Sequence, residues 1–103
     1  MNANEINTTE FSELSHAAQC LDIYLRNTRE IYDRYTLPAI DACAKAQPVK
    51  APEMWEYIKQ ALKAAARLVI KSGISPTADD IKAVTANYVA YITECAEYNT
   101  TNA

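Results

Sequence analysis

The longest hydrophobic pattern in this chain runs from Thr8 to Tyr35. Its apolar and aromatic positions alternate three and four residues apart, and Thr28 fills the remaining slot. Residues at these spacings share one face of an α-helix, so the pattern predicts one uninterrupted helix with a single buried stripe. The predicted stripe comprises Phe11, Leu14, Ala18, Leu21, Leu25, Tyr32 and Tyr35.

The same predicted helix carries a second stripe on its flank. Its members are His16, Cys20, Ile23 and Asn27. Two stripes together are wider than the surface that one neighbouring helix covers. We therefore expect the helix to contact two neighbours in the chain, or one neighbour and a separate partner molecule.

Pro38 is predicted to end this first helix. Proline has no N–H for the helical hydrogen bond, and it disfavours helical geometry at the residue before it. We expect Thr36 to cap a new short helix that runs through Ala46. A kinked continuation of the first helix is the alternative, because Ala39 and Ala42 keep the same three-four spacing.

Two more helices are predicted after a linker at residues 47–50. The first covers residues 52–72, because proline is tolerated in a first helical turn and Gly73 can end the helix in the left-handed conformation. The second covers about residues 77–98, and its start is indicated by the cap residue Ser75, the proline Pro76 and the acids Asp79 and Asp80. The predicted buried positions are Trp55, Ile58, Leu62, Ala65 and Val69 in the first, and Ile81, Val84, Tyr88, Tyr91, Cys95 and Tyr98 in the second.

These elements predict an all-α protein, a small antiparallel helical bundle of three long helices plus one short helix. We expect residues 1–103 to form a single helical domain, with flexible tails at residues 1–7 and 99–103. The composition agrees, because one glycine and four prolines among 103 residues are fewer turn residues than a strand-rich fold needs. The hydrophobic fraction of 50% and the charged fraction of 22% are typical of an ordinary globular chain.

Charge and cysteine content narrow the function classes and the compartment. A net charge of −3 argues weakly against a general nucleic-acid binder. Three cysteines without a C-x-x-C pair favour a reducing compartment over a disulfide framework. The sequence shows no secretory signal and no apolar run near the roughly 18 residues of a membrane span. We expect a cytoplasmic protein with no membrane partner.

A row of cations follows the helix predicted over residues 52–72. Its members recur every four residues: Lys59, Lys63, Arg67 and Lys71. A helix that advances about 100° per residue places them roughly opposite its apolar stripe. Charge is segregated along the chain, at −4 for residues 1–44, +4 for residues 45–72 and −3 for residues 73–103. The row is either a solvated face or a ridge that binds an acidic protein or a phosphate backbone.

A second candidate patch lies at the end of the first predicted helix. Tyr32 and Tyr35 stand among charged residues there, including Arg29 and Arg34. Tyrosine is enriched where proteins contact one another, because its ring is apolar and its hydroxyl tolerates water. The cluster is either a helix end with local ion pairs or part of a docking patch.

Reaction chemistry finds little support in the sequence. His16 and Cys20 are one helical turn apart, but with Cys43 and Cys95 they match no zinc-finger or ribbon spacing. The single histidine has no oriented nucleophile partner, and the one glycine leaves no phosphate-binding loop. We expect no enzyme activity, no cofactor and no bound metal.

The hypothesis favoured by the sequence is a non-enzymatic protein–protein interaction module. It would act as an adaptor or inhibitor that docks a helical surface on a larger protein, a class that includes small inhibitors encoded by phages and mobile elements. Self-association as a homodimer is compatible with the wide apolar face of the last helix. The alternative is a nucleic-acid-associated helical protein that uses the basic row, which the single cation Lys82 on the last helix makes less favourable.

Overall fold

The computed structural model describes residues 7–46 and 52–102, and within these ranges the protein is all-α. The predicted linker at residues 47–50 and the predicted tail residues 1–6 lie outside them. The α-helices are α1 (His16–Asn27), α2 (Arg29–Ile31), α3 (Leu37–Ala46), α4 (Pro52–Lys71) and α5 (Ala78–Asn102). A 3₁₀ turn (Phe11–Glu13) precedes α1, and a π-helical turn (Tyr32–Thr36) joins α2 to α3 without a gap. We call α2, the π-helical turn and α3 together the 29–46 segment.

The prediction of one uninterrupted helix over residues 8–35 is wrong at its start and at Thr28. Helix α1 starts only after Ser15, whose Oγ accepts a hydrogen bond from the amide of Ala18 at 3.1 Å and so caps the first turn. It stops before Thr28, which is extended at φ −87° and ψ 112°. Asn27 and Thr28 are both weak helix formers, and the side chain of Asn27 bonds back to the carbonyl of Ile23 at 3.1 Å.

The centre of the first predicted stripe is nevertheless correct. Leu14, Ala18, Leu21 and Leu25 are buried in the core, whereas Phe11 is 45% exposed. The second stripe on the flank is not covered by another helix, because its members His16, Ile23 and Asn27 are exposed and Cys20 is half-buried. Helix α1 therefore uses a narrower buried face than the sequence pattern suggested.

The predicted break at Pro38 is also wrong, because the helix continues through this proline. In the π-helical turn before it, the N–H of Leu37 donates to the carbonyl of Tyr32, five residues earlier. This wider turn gives the proline ring room past the preceding carbonyls and absorbs the missing donor. Thr36, expected to cap a new helix, is instead 2% exposed within the core. The helix that contains Pro38 starts at Arg29, so it is not a continuation of one rod from Thr8 either.

The prediction for α4 and its end is confirmed. Gly73 has φ +88°, its N–H donates to the carbonyl of Ile70 at 2.9 Å, and the N–H of Ile74 donates to the carbonyl of Val69 at 3.2 Å. This pair of bonds is a Schellman cap. The buried stripe differs slightly from the prediction, since Trp55 is 39% exposed and Leu62 is half-buried. The observed buried stripe of α4 comprises Met54, Ile58, Ala61, Ala65 and Val69.

Helix α5 starts close to the predicted residue and ends later. Its cap is Thr77 rather than Ser75, because Thr77 Oγ1 accepts from the amide of Asp80 at 3.1 Å and Asp80 Oδ2 accepts from the amide of Thr77 at 2.8 Å. The helix extends to Asn102, through residues expected to form a tail. Tyr98 is 68% exposed, so the stripe is not buried along its whole length.

The core lies where α1 and the 29–46 segment both pack on α4 and α5. At about 1.5 Å per residue, the 25 residues of α5 cover most of the 41 Å long axis of the molecule. Ser15 Oγ donates to Asp80 Oδ1 at 2.6 Å, which joins the starts of α1 and α5 and lowers the pKa of that carboxyl. Across the part of the chain that is described, no helix combines the length and apolarity needed to cross a membrane.

The side chain of Asn87 on α5 holds the N-terminal segment at Thr9. The carboxamide of Asn87 accepts from the N–H of Thr9 at 2.9 Å and donates to the carbonyl of the same residue at 2.7 Å. Gln19 Nε2 holds the next stretch by donating to the carbonyls of Phe11 at 3.0 Å and Leu14 at 3.3 Å. The main-chain groups of Thr9 and the carbonyls of Phe11 and Leu14 are thus satisfied by side chains.

Candidate interaction surface

The four cations of the predicted basic row, Lys59, Lys63, Arg67 and Lys71, are all exposed on α4. At about 100° per residue, the middle of this row lies about 180° from the middle of the buried stripe on the same helix. The inner side of α4 packs on α1 and on the 29–46 segment. The basic row therefore occupies the outer face of α4, as the sequence predicted.

Within the described residues, three of the four cations in the basic row have no ion pair. Lys59 Nζ lies 3.6 Å from Glu56 Oε2, one turn earlier. For Lys63, Arg67 and Lys71, no carboxylate of residues 7–46 and 52–102 lies within 4.0 Å. Their positive charge is therefore not neutralised within the described part of the chain.

The remaining arginines of the protein contrast with Arg67. Each has a carboxylate one turn away: Arg26 with Asp22 at 3.0 Å, Arg29 with Asp33 at 3.5 Å, and Arg34 with Glu30 at 3.3 Å. Lys45 is likewise 3.0 Å from Asp41. Pairs at this spacing stabilise a helix by a few tenths of a kcal/mol, and like charges at the same spacing oppose it by similar amounts. Among the described arginines, the unpaired state is specific to the outer face of α4.

Ile70 is an apolar residue within the basic row that the sequence analysis did not single out. It is 59% exposed, and it follows Arg67 by three residues and Lys63 by seven, which places it on the same face. Ala66 lies one turn before it. The exposure of Ile70 could have been predicted from the sequence, because the position after Val69 is turned about 100° away from the buried stripe.

The second predicted patch does not join the basic row. Tyr32 is 37% exposed and Tyr35 is half-buried against the core, while Arg29 and Arg34 are exposed and occupied by their local ion pairs. The 29–46 segment packs on the inner side of α4, so these residues lie on the side of α4 that faces away from the basic row. The structure therefore divides the predicted partner-binding residues into two separate surfaces.

The surroundings of Tyr32 are formed by α1 and α5. The guanidinium of Arg26 lies 4.8 Å above the ring of Tyr91, in a cation–π contact, while the same group bonds Asp22. Burial raises the pKa of Tyr91, with nearby Cys95 and Tyr32 acting in the same direction. A recess of about 360 Å³ beside this contact is lined by Arg26, Asn27, Thr28, Arg29, Tyr32 and Asp33. The cations that line this recess are paired with nearby carboxylates. The recess therefore attracts neither anionic nor cationic ligands strongly.

The cysteines and the histidine form no larger cluster. His16 Nε2 lies 3.8 Å from Cys20 Sγ on the exposed side of α1. Burial, aided by the Glu97 carboxylate, raises the pKa of the Cys43 thiol, which disfavours the reactive thiolate. In the part of the chain that the structure describes, no three His, Cys, Asp or Glu side chains converge on a metal position.

Protein-family models, curated proteins and solved structures gave no match. The exposed cations of α4 that lack an ion pair among the described residues, together with the residues around them, are therefore the basis for assigning a function to this chain.

Proposed function

We propose that this chain is a non-enzymatic protein–protein interaction module, an adaptor or inhibitor that docks the basic row of α4 on an acidic surface of a larger protein. One observation carries the proposal. Lys63, Arg67 and Lys71 are exposed at four-residue intervals, and no described carboxylate neutralises them. Acidic side chains of a partner would supply the missing counter-charges.

Electrostatics supports an acidic protein as the partner. Repulsion between cations one turn apart is small, a few tenths of a kcal/mol for each pair, so the free protein tolerates the row. A complementary partner removes this repulsion and is attracted over a distance of about one Debye length. Complementary charge of this kind accelerates association and selects partners more than it adds affinity.

The arrangement of the helices keeps the basic row accessible. We infer an antiparallel bundle in which α4 runs opposite to its neighbours, while α1 and α5 run in the same direction. The contacts Ser15–Asp80 and Arg26–Asn87 support the parallel pair, because both partners advance together along the chain. In this arrangement α4 has neighbours on its inner side and solvent on its outer side.

The nucleic-acid alternative is less favoured by the surroundings of the row. Glu56 lies among the cations and pairs with Lys59 at 3.6 Å, and an acidic pair, Asp79 and Asp80, starts the next helix. Carboxylates near the contact would repel phosphates. Binding of labelled duplex DNA or RNA that weakens with salt and with loss of the row, in the absence of protein binding, would replace our proposal with this alternative.

The experiment that tests the proposal compares two charge reversals of equal size. The row variant is Lys63→Glu/Arg67→Glu, and the control is Lys45→Glu/Lys82→Glu, which changes net charge equally at exposed positions elsewhere. Proteins captured from the native cell by the wild type are identified, purified and titrated against each variant by calorimetry. We expect a partner with an acidic surface, at least tenfold weaker binding by the row variant, and unchanged binding by the control.

The opposite result would remove the proposal. Equal affinity of the row variant and the wild type for the purified partner, with both folded by circular dichroism, would show that α4 does not form the contact. A third variant, Arg29→Glu/Arg34→Glu, tests the other predicted surface. Loss of binding in that variant alone would move the site to the 29–46 segment.

A further inference from the structure

Ile70 is the most exposed large aliphatic side chain in residues 7–46 and 52–102. It is 59% exposed, compared with 48% for Ile23 and 44% for Leu37. A single exposed apolar residue is ordinary on a protein surface. Its position is informative here, because Ile70 lies on the same outer face as the unpaired Lys63 and Arg67.

Apolar side chains mark both ends of the basic row. Trp55 is 39% exposed near the start of α4, and Ile70 lies near its end. The two are about 22 Å apart along the helix axis at about 1.5 Å per residue. On a helix that advances about 100° per residue, Trp55, Ala66 and Ile70 fall within an arc of about 60°, beside the cations. The outer face of α4 is therefore a line of apolar positions flanked by a line of positive charges.

Two alternative classes of ligand each match only part of this surface. Phosphates of a nucleic-acid backbone match the cations but offer no apolar group to Ile70 and Trp55. One face of an extended strand presents a single file of side chains about 7 Å apart, so carboxylates that match the line of cations leave no positions in that file for apolar residues. A helix carries carboxylates at i and i+4 and apolar residues at i+3 and i+7 on one face.

We infer that the epitope bound by α4 is an acidic amphipathic helix of about four turns, which places an apolar side chain against Ile70 and carboxylates against Lys63 and Arg67. This inference rests on the proposed function and specifies its partner. Carboxylates one turn apart on such a helix are about 6 Å apart, which matches the axial spacing of the cations. Ala66 leaves space beside Ile70 for the incoming apolar side chain.

The test uses three synthetic helical peptides and the full-length protein. The first peptide carries glutamates at four-residue intervals with leucines on the same face, the second replaces the leucines with glutamine, and the third replaces the glutamates with lysine. Fluorescence anisotropy measures binding of each labelled peptide. We expect the first peptide to bind, the second to bind about tenfold more weakly because no apolar surface is buried, and the third not to bind.

Two matched protein variants locate the apolar contact. Ile70→Ser should weaken binding of the leucine peptide about tenfold and leave the glutamine peptide unchanged. Ile23→Ser makes the same chemical change at a distant position on α1, where the side chain is 48% exposed. This control should change the binding of neither peptide. Both residues are exposed, so neither variant removes a core side chain.

Each other outcome overturns the inference in a distinguishable way. Equal binding of the first two peptides, with loss in Lys63→Glu/Arg67→Glu, would leave the acidic-partner proposal intact and remove the apolar anchor. Absence of binding by every peptide would remove the helical epitope and leave the acidic-partner proposal to the calorimetric test with the captured partner. Unchanged binding by the charge-reversed variant in both experiments would remove both. Peptide binding that is abolished by labelled duplex DNA at equal concentration would show that phosphate is the preferred ligand.

Discussion

The hydroxyl of Thr36 lies 2.6 Å from the hydroxyl of Tyr88, inside the core and far from solvent. Thr36 is 2% exposed and Tyr88 is fully buried. The pair joins the π-helical turn to the middle of α5, and each hydroxyl satisfies the other. A polar contact therefore fixes the register of the 29–46 segment on α5, in a core that is mostly apolar.

Thr36→Val is expected to destabilise the protein by about 1–3 kcal/mol. The substitution preserves shape but leaves the buried Tyr88 hydroxyl without its partner. Tyr88→Phe should also destabilise, and the double variant should lose less than the sum of the two single losses. Urea unfolding of the four proteins gives the coupling. Additive losses would show that the two hydroxyls do not depend on each other.

Stability is expected to fall at alkaline pH because of the same tyrosine. Burial raises the pKa of Tyr88 from 10.0 to about 12, although its bond to Thr36 acts in the opposite direction. Between these values the unfolded chain has lost the phenolic proton and the folded protein has kept it. The contribution is therefore complete below pH 10 and is lost as pH rises, by up to about 3 kcal/mol.

Urea unfolding from neutral pH to about pH 11 checks this alkaline prediction. Tyr88→Phe should flatten the decline. It should not remove it, because burial also raises the pKa of Tyr91. An identical pH profile for the wild type and Tyr88→Phe would contradict the assignment of the decline to this phenol.

Gly73→Ala is expected to destabilise the protein by about 1–2 kcal/mol. The cause is the positive φ of +88° alone, because an added Cβ at this position meets no atom within 4 Å. Gly73→Asn should be milder, since asparagine tolerates the left-handed conformation better than alanine. Thermal unfolding should show a decrease in Tm of about 4–8 °C per kcal/mol. Equal Tm values for the alanine variant and the wild type would show that the loop changes conformation freely.

Asn87→Ala is expected to release the N-terminal segment while leaving the helices folded. The substitution removes both hydrogen bonds to the main chain of Thr9, at 2.9 and 2.7 Å. Hydrogen exchange at the amide of Thr9 should become faster, because its protection comes from the Asn87 carboxamide. Asn27→Ala is the control, since Asn27 bonds only within its own helix. Retained protection at Thr9 in Asn87→Ala would show that other contacts hold the segment.

The elements predicted well from the sequence are those with chemical signals at their ends. Pro52, Gly73 and the Thr77–Asp80 pair delimit α4 and the start of α5, and each acts within one or two turns of itself. The break at Thr28 was missed because the three-four pattern continues across it. Periodicity reports which residues prefer the core, and it does not report that the chain stays helical between them.

The candidate interaction surface was predictable only in part. The row Lys59, Lys63, Arg67 and Lys71 depended on α4 being a regular helix, which the sequence established. The separation of Tyr32 and Tyr35 from this row depends on how the 29–46 segment packs on α4, and no spacing within either element encodes that contact. Similarly, the packing of the neighbouring helix decides which of Met54 and Trp55 is buried, and in the structure it is Met54.

The π-helical turn has a consequence for the length of the chain. Ile31 and Thr36 are both buried although they are five residues apart, because this one turn holds a surplus residue. Excision of the exposed Asp33 would let the segment close into ordinary α geometry with the same side chains facing inward and a sharper bend at Pro38. Excision of one residue in α4 would instead rotate everything beyond it by about 100° and turn its apolar stripe outward. We therefore expect shortening at Tyr32–Thr36 to be less damaging than shortening within α4, although it restores the clash of the Pro38 ring with the preceding carbonyls.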